Sequence, residues 1–270
     1  MNRSAIGIFD SGIGGLTVAA EVGRRLPAED IIYLGDTARL PYGTKSAATV
    51  TRYAERAMEL LLRYPVKAVV VACNTATAHA LPTLRELTDM PVLGVVEPGA
   101  RSAVAATRSG RIGITGTEAT VRSEAYHRAI RALLPDAELT AMAWPLLVPL
   151  AEEGWIDHPV ARLTVETYLG PLVEAGVDTL VLGCTHYPVF KRLISDVLAE
   201  RFGREDVVLV DSAEAVTTEL GELLVTGELE APERAGRRSF FCTDAPERFI
   251  RVGSTFFPGG DLGAATAVDL

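Results

Sequence analysis

A chain of 270 residues with 48% hydrophobic, 23% charged and 6% aromatic residues has the composition of a folded globular protein, which excludes disordered, collagen-like and coiled-coil classes. The net charge of -9, from 26 basic and 35 acidic residues, removes the electrostatic footprint that nucleic-acid binding requires. The segment before Asp10 holds too short an apolar run for a leader peptide or a membrane span, so the expectation is a cytoplasmic chain that binds neither membrane nor nucleic acid.

In chain order, short β-branched runs each precede a segment of helical period: IGIFD (6–10), DIIYLGD (30–36), KAVVVAC (67–73), PVLGVV (91–96), RIGITG (111–116), DTLVLGC (178–184) and VVLVD (207–211). Several are apolar throughout instead of alternating, as strands covered by helices on both faces must be. The pattern predicts an α/β fold with mostly parallel sheets flanked by helices. Two stretches resemble each other: VKAVVVACNTATAHALPTL (66–84) and VDTLVLGCTHYPVFKRLI (177–194) share an apolar strand, a cysteine, a threonine and then a helix. This suggests two similar α/β domains with a cleft between them. The Pro98-Gly99 pair marks the first crossing and Asp211 the second, which divides the chain into 1–98 plus 211–270, carrying Cys73, and 99–210, carrying Cys184. The tail RSFFCTDAPERFIRVGSTFF (238–257) reads as a further strand and helix returning to the first domain.

Several familiar motifs fail. The turn Gly12-Ile13-Gly14-Gly15, with Asp36 downstream, imitates a dinucleotide site, but Thr17 stands where a third glycine is needed. Gly43-Thr44-Lys45-Ser46 lacks the upstream glycine and the Gly-Lys pair of a phosphate-binding loop. None of Lys45, Lys67 and Lys191 ends a strand in a Schiff-base setting. The 3 cysteines, Cys73, Cys184 and Cys242, are far apart and odd in number, against a disulfide framework. No close Cys or His spacing marks a zinc site; one would have to be assembled from distant residues such as Cys73, Cys184 and His186. The expectation is no cofactor and no metal.

Cys73 and Cys184 each end an apolar strand where a helix is expected to begin, the place where open α/β sheets form their crevices. A helix N-terminus there would lower the thiol pKa and make a thiolate accessible near neutral pH. Asn74, Thr75, Thr185 and His186 follow directly and supply donors suited to a carboxylate, although capping is the ordinary role of Asn and Thr. Asp10 and Ser11 end the first strand, Asp36 the second, and a carboxylate beside a thiol can orient it or relay a proton. His186 and one acid of Glu152-Glu153 could serve Cys184. The turn Pro41-Tyr42-Gly43 allows close backbone approach to a ligand. His79, His127 and His158 lack such settings and read as surface or packing residues.

Taken together, FDSGIGGLTV, YLGDTARLPYG, VVACNTATA, PLLVPLAEEGW and LGCTHYP strongly resemble the glutamate racemases, the cofactor-independent amino-acid racemases of bacterial cell-wall synthesis. The resemblance runs from about Ile6 to Phe257. It implies that Cys73 and Cys184 are the catalytic acid/bases, with Asp10 assisting near Cys73, Glu152 and His186 assisting near Cys184, and Asp36 as a further acid. Glu152 is preferred over Glu153 by the motif. Asp10, Ser11, Pro41, Tyr42, Gly43, Asn74, Thr75, Thr117, Thr120, Thr185 and His186 would bind the substrate, L- or D-glutamate. Trp144 departs from the pattern, since many members have cysteine there. The cysteine motifs alone would also suit an aspartate racemase or a related decarboxylase, and the resemblance leaves room for a homodimer and for the DNA gyrase binding of some relatives.

Overall fold

Each apolar run read above as a strand forms one in the computed structural model, which describes residues 3–260 and 262–270; residues 1, 2 and 261, included in the expected domain division, lie outside it. The first half runs β1 (Ala5–Asp10), α1 (Leu16–Arg25), β2 (Ile31–Gly35), α2 (Ala47–Leu61), β3 (Val66–Val71), α3 (Asn74–Glu86) and β4 (Val92–Gly94). The second follows as α4 (Val96–Ala106), β5 (Arg111–Gly116), α5 (Glu118–Arg122), α6 (Ala125–Leu133), β6 (Glu138–Ala143), α7 (Leu147–Glu152), α8 (Pro159–Glu174), β7 (Thr179–Gly183), α9 (Lys191–Phe202) and β8 (Val208–Asp211). The chain then returns through α10 (Ser212–Thr226), β9 (Arg238–Cys242), α11 (Pro246–Gly253) and β10 (Ala265–Ala267).

Two sheets result, ordered β10-β9-β2-β1-β3-β4 and β6-β5-β7-β8. Every pairing between described strands is parallel, so all strand ends that carry loops toward a ligand point the same way within each sheet. β1 and β3 are buried along their whole length, which is why their sequences do not alternate. One apolar cluster runs from Ile8 and Leu16 through Tyr187 and Phe256 to Trp144 and Leu182, joining the two halves behind the cleft. α10 packs on both α1 and α4, so it belongs to that junction as well. Among the described residues no helix is long and apolar enough to cross a membrane.

The structure departs from the sequence reading in three places. β4 stops at Gly94, short of the expected run to Val96, and Pro98 and Gly99 lie inside the first turns of α4. Proline is tolerated so early in a helix because the amide it lacks would have no intrahelical partner. Two edge strands were missed: β6, whose ELTAMA sequence is rich in helix formers, and the three-residue β10. Finally, Cys184 is followed not by an α-helix but by a 3-10 turn, Tyr187–Phe190, with α9 beginning only at Lys191.

Candidate active site

The carboxyl ends of β1 and β3 in one sheet and of β5 and β7 in the other converge on a single cleft. Cys73 and Cys184 both line it, with Ser11, Tyr42, Gly43, Asn74, Thr75, Thr117, Glu152, Thr185 and His186. Leu40, Pro41 and Val148 complete its apolar part. A larger groove beside α1 and the C-terminal segment, lined by Glu21, Arg24, Glu214 and Arg238 among others, contains neither thiol. Among the described residues no group of three or more His, Cys, Asp and Glu side chains is arranged to hold a metal ion.

On the first side, Cys73 is the N-cap of α3, and the Ala76 amide donates to its Sγ at 3.4 Å. Ser11 Oγ lies 3.3 Å from the sulfur. Asp10, fully buried, accepts from the Gly12 amide at 2.9 Å and from Thr185 Oγ1 at 3.4 Å. Burial raises the Asp10 carboxyl pKa, with His186 and backbone amides pulling the other way. The Cys73 thiol is pushed up to about 12 by burial first and by the Asp10 charge second, against smaller opposing contributions from Ser11 and the Ala76 amide. This corrects the expectation that the helix N-terminus leaves Cys73 with a lowered pKa. The helix is there, and desolvation outweighs it.

On the second side, a chain of side chains leads away from the sulfur. Cys184 Sγ is 3.9 Å from His186 Nδ1, His186 Nε2 is 3.2 Å from Glu152 Oε1, and Arg248 Nη2 donates to Glu152 Oε2 at 2.8 Å. Burial presses the His186 pKa down, but hydrogen bonds to Cys184 and Glu152 raise it to about 10. Burial presses the Glu152 pKa up, and His186 and Arg248 carry it below its ordinary value. His186 therefore contributes stability that is fully present below about 6.5, its ordinary value, and is lost as pH rises through about 10. Glu152 contributes stability present above its ordinary 4.5 and lost as pH falls through its depressed value. Between these limits the pair is ionised. Glu152→Gln removes the carboxylate, and NMR titration of the His186 ring should then give a pKa below the wild-type one. An unchanged titration would show that Glu152 does not hold the imidazolium.

Glycines of the two failed motifs have a different purpose. A Cβ on Gly14 would overlap His186 Nδ1 and Thr185 Oγ1, and one on Gly43 would stand 2.7 Å from Thr117 Cβ. Both glycines are points where the first half presses its backbone onto site residues of the second. Across the same seam, Thr75, Thr117 and Thr120 hydroxyls form a triangle with sides of 2.9, 3.0 and 3.0 Å. Thr117 is also the N-cap of α5.

Most sequence-selected residues meet in this cleft, and Asp36 does not. It stands behind Tyr42, accepting from its hydroxyl at 2.7 Å, from Thr243 Oγ1 at 2.9 Å and from Arg39 Nη1 at 3.1 Å. Asp36 is not among the residues that line the cleft, and it reaches that lining through the Tyr42 hydroxyl. Glu152 faces the cleft, whereas Glu153 at the end of α7 is exposed. His158 caps α8 through its Nδ1. Trp144 is buried outside the cleft, stacked on Tyr168 with ring centroids 5.7 Å apart. Sequence reasoning missed Arg248 and Phe256, whose ring stands edge-to-face with His186 at a centroid separation of 5.0 Å. Neither lies near a recognisable motif, and only the return of the tail to the first sheet brings them here.

A family model described as Asp/Glu/Hydantoin racemase matches residues 15–220. The chain is 55% identical over 271 residues to a glutamate racemase of Geobacter metallireducens, covering 100% of this chain and 98% of that one. Its structure is similar to that of a glutamate racemase isoform from Bacillus anthracis, with TM-score 0.94 and 38% identity over 100% of this chain and 99% of the other. It also resembles a Francisella tularensis glutamate racemase in complex with D-glutamate, with TM-score 0.91 and 34% identity, covering 100% of this chain and 98% of that one.

Proposed function

Because the chain belongs to the Asp/Glu/hydantoin racemase family and to its glutamate racemase branch, we propose that its cleft interconverts L- and D-glutamate by proton transfer through Cys73 and Cys184, without a cofactor. The product D-glutamate would feed peptidoglycan synthesis in the cytoplasm. One observation carries the mechanism: the two thiols come from different sheets and open into the same cleft. We also propose a division into domains 1–98 plus 211–270 and 99–210, supported by strands β1–β4, β9 and β10 pairing apart from β5–β8.

Inverting a stereocentre without redox chemistry requires taking a proton from one face of Cα and returning one to the other. A thiolate on one side and a thiol on the opposite side do this directly, and each turnover exchanges their protonation states. In the resting cleft, burial and Asp10 keep Cys73 as the thiol. His186, 3.9 Å from the Cys184 sulfur, is placed to balance negative charge when that sulfur serves as the thiolate. A proton removed at Cys184 is then matched by one delivered from Cys73. The reverse reaction begins from the complementary form.

The obstacle is the weak acidity of the Cα hydrogen, with a thiolate as the base. Every ~1.4 kcal/mol of preferential transition-state stabilisation gives about a tenfold gain. Donors fixed around the substrate carboxylate in a water-poor cleft supply it. The amides opening α3, with Asn74 and Thr75, form a positive helix end suited to a carboxylate. Asp10, Ser11, Pro41, Tyr42, Gly43, Thr117, Thr120, Thr185 and His186 are the remaining candidates for the amino group and carboxylates.

The test is direct. Purified chain incubated with L-glutamate and no added cofactor should drive optical rotation to zero, while L-aspartate keeps its rotation. Loss of rotation with aspartate alone would reassign the chain to an aspartate-specific branch. Release of CO2 with either substrate would identify a decarboxylase.

A further inference from the structure

We propose that Tyr126 is a positioning residue for the reaction: its hydroxyl holds the Asn74 carboxamide with the N–H end free for a substrate carboxylate. Asn74 opens α3 directly after Cys73, lines the cleft and is 2% exposed. Its Oδ1 accepts a hydrogen bond from Tyr126 at 2.7 Å. Its Nδ2 is buried and has no hydrogen-bond partner among the described residues. A buried donor without a partner keeps its desolvation cost uncompensated, and an acceptor arriving in the cleft is what would relieve it. The inference rests on the reading that a carboxylate binds beside Asn74.

An amide side chain has two similar ends, and only one suits a carboxylate. With the amide turned over, Oδ1 would face the ligand's negative oxygens and repel them. In the observed orientation the Tyr126 hydroxyl donates to Oδ1, with Ser212 Oγ also 3.5 Å from that oxygen, and Nδ2 is left for the ligand. Tyr126 comes from α6 in the second half, so its bond to Asn74 crosses the seam between the halves. Its ring is held by close packing: a Cβ on Gly99 would stand 3.2 Å from its Cε1, and one on Gly183, next to Cys184, 3.0 Å from its Cε2. The hydroxyl is also 3.2 Å from Ser212 Oγ, at the start of α10, and Ser212 in turn donates to the Leu182 carbonyl at 3.1 Å. The phenol therefore sits at the meeting point of α3, α6 and α10, aimed at one atom of one site residue.

Tyr126→Phe keeps the packed ring and removes the hydroxyl. Its kcat/KM for glutamate should fall about tenfold or more, the weight of a hydrogen bond to a charged group. Asn74→Ala should fall at least as far. The decisive comparison is the double variant: at equal folded fraction, checked by thermal unfolding, it should be no slower than Asn74→Ala alone. Full activity of Tyr126→Phe, or a loss that multiplies unchanged onto Asn74→Ala, would overturn the positioning role and leave Tyr126 a packing residue. Wild-type activity of Asn74→Ala would instead sink the underlying reading that Asn74 holds the substrate, and the inference with it.

Discussion

Replacing either Cys73 or Cys184 with Ala should reduce racemisation by about a thousandfold or more, within or beyond the range that positioned acid/base groups contribute. On the proposed two-base mechanism both sulfurs are needed, because each supplies a step the other cannot reach. Cys73, Asp10 and Ser11 stand at or just beyond the ends of first-sheet strands, whereas Cys184 and His186 follow β7 of the second sheet and Glu152 comes from α7. The fold should survive either change, since each side chain is small and removing one sulfur from a buried site costs about 1 kcal/mol. Steady-state rates in both directions, with circular dichroism as a check on folding, measure this. A Cys73→Ala or Cys184→Ala variant turning over at the wild-type rate would show that the missing sulfur is not one of the two bases.

Gly14→Ala is expected to lower kcat by about a hundredfold, the scale of a misplacement near 1 Å in a preorganised site. The added methyl has no space: the His186 ring and the Thr185 hydroxyl already occupy it. Neither can retreat freely. His186 is tied to Glu152 and packed edge-on against Phe256, and the Thr185 carbonyl accepts from Thr17 at 3.2 Å. The strain would push the two halves of the cleft apart, carrying Cys184 away from Cys73. Activity equal to wild type would mean that this seam yields without moving the thiols.

The same glycine shows how far the site was legible in the sequence. Gly12, Gly14 and Gly15 could be seen to lack a partner glycine for dinucleotide binding, yet what Gly14 does instead depends on Thr185 and His186, 171 and 172 positions away in the chain. Local pattern carries no information about such a seam. The two cysteines were visible because each terminates an uninterrupted apolar strand and is followed by threonine or asparagine, a signal contained in a few residues. Their electrostatic state was not visible. Helix position argued for a lowered Cys73 pKa, while burial and the Asp10 carboxylate decide the reverse. The Arg248–Glu152–His186 chain was half legible: the acid and the imidazole lie in motifs, but the arginine arrives on α11 from a tail whose return could be guessed and whose register could not.

The parallel strands followed from apolar runs that do not alternate, and these were the most legible part of the fold. The edge strands β6 and β10 escaped because edges are half-buried and tolerate residues that carry no strand signature. Asp36 shows a similar limit. Its place at the end of β2 was apparent, but only the packed structure shows that it bonds the hydroxyl of Tyr42, a lining residue, and does not line the cleft itself.

Two sulfurs acting from opposite faces, as proposed, would leave a trace in the hydrogen at Cα. With glutamate of one configuration turned over in D2O and sampled at low conversion, the thiol that protonates the product has already exchanged with solvent. The product enantiomer should therefore carry deuterium at Cα while recovered substrate keeps its original hydrogen. Deuterium appearing equally in both enantiomers, or product that retains the substrate's own hydrogen, would point to a single base and contradict the assignment of Cys73 and Cys184 to the two faces.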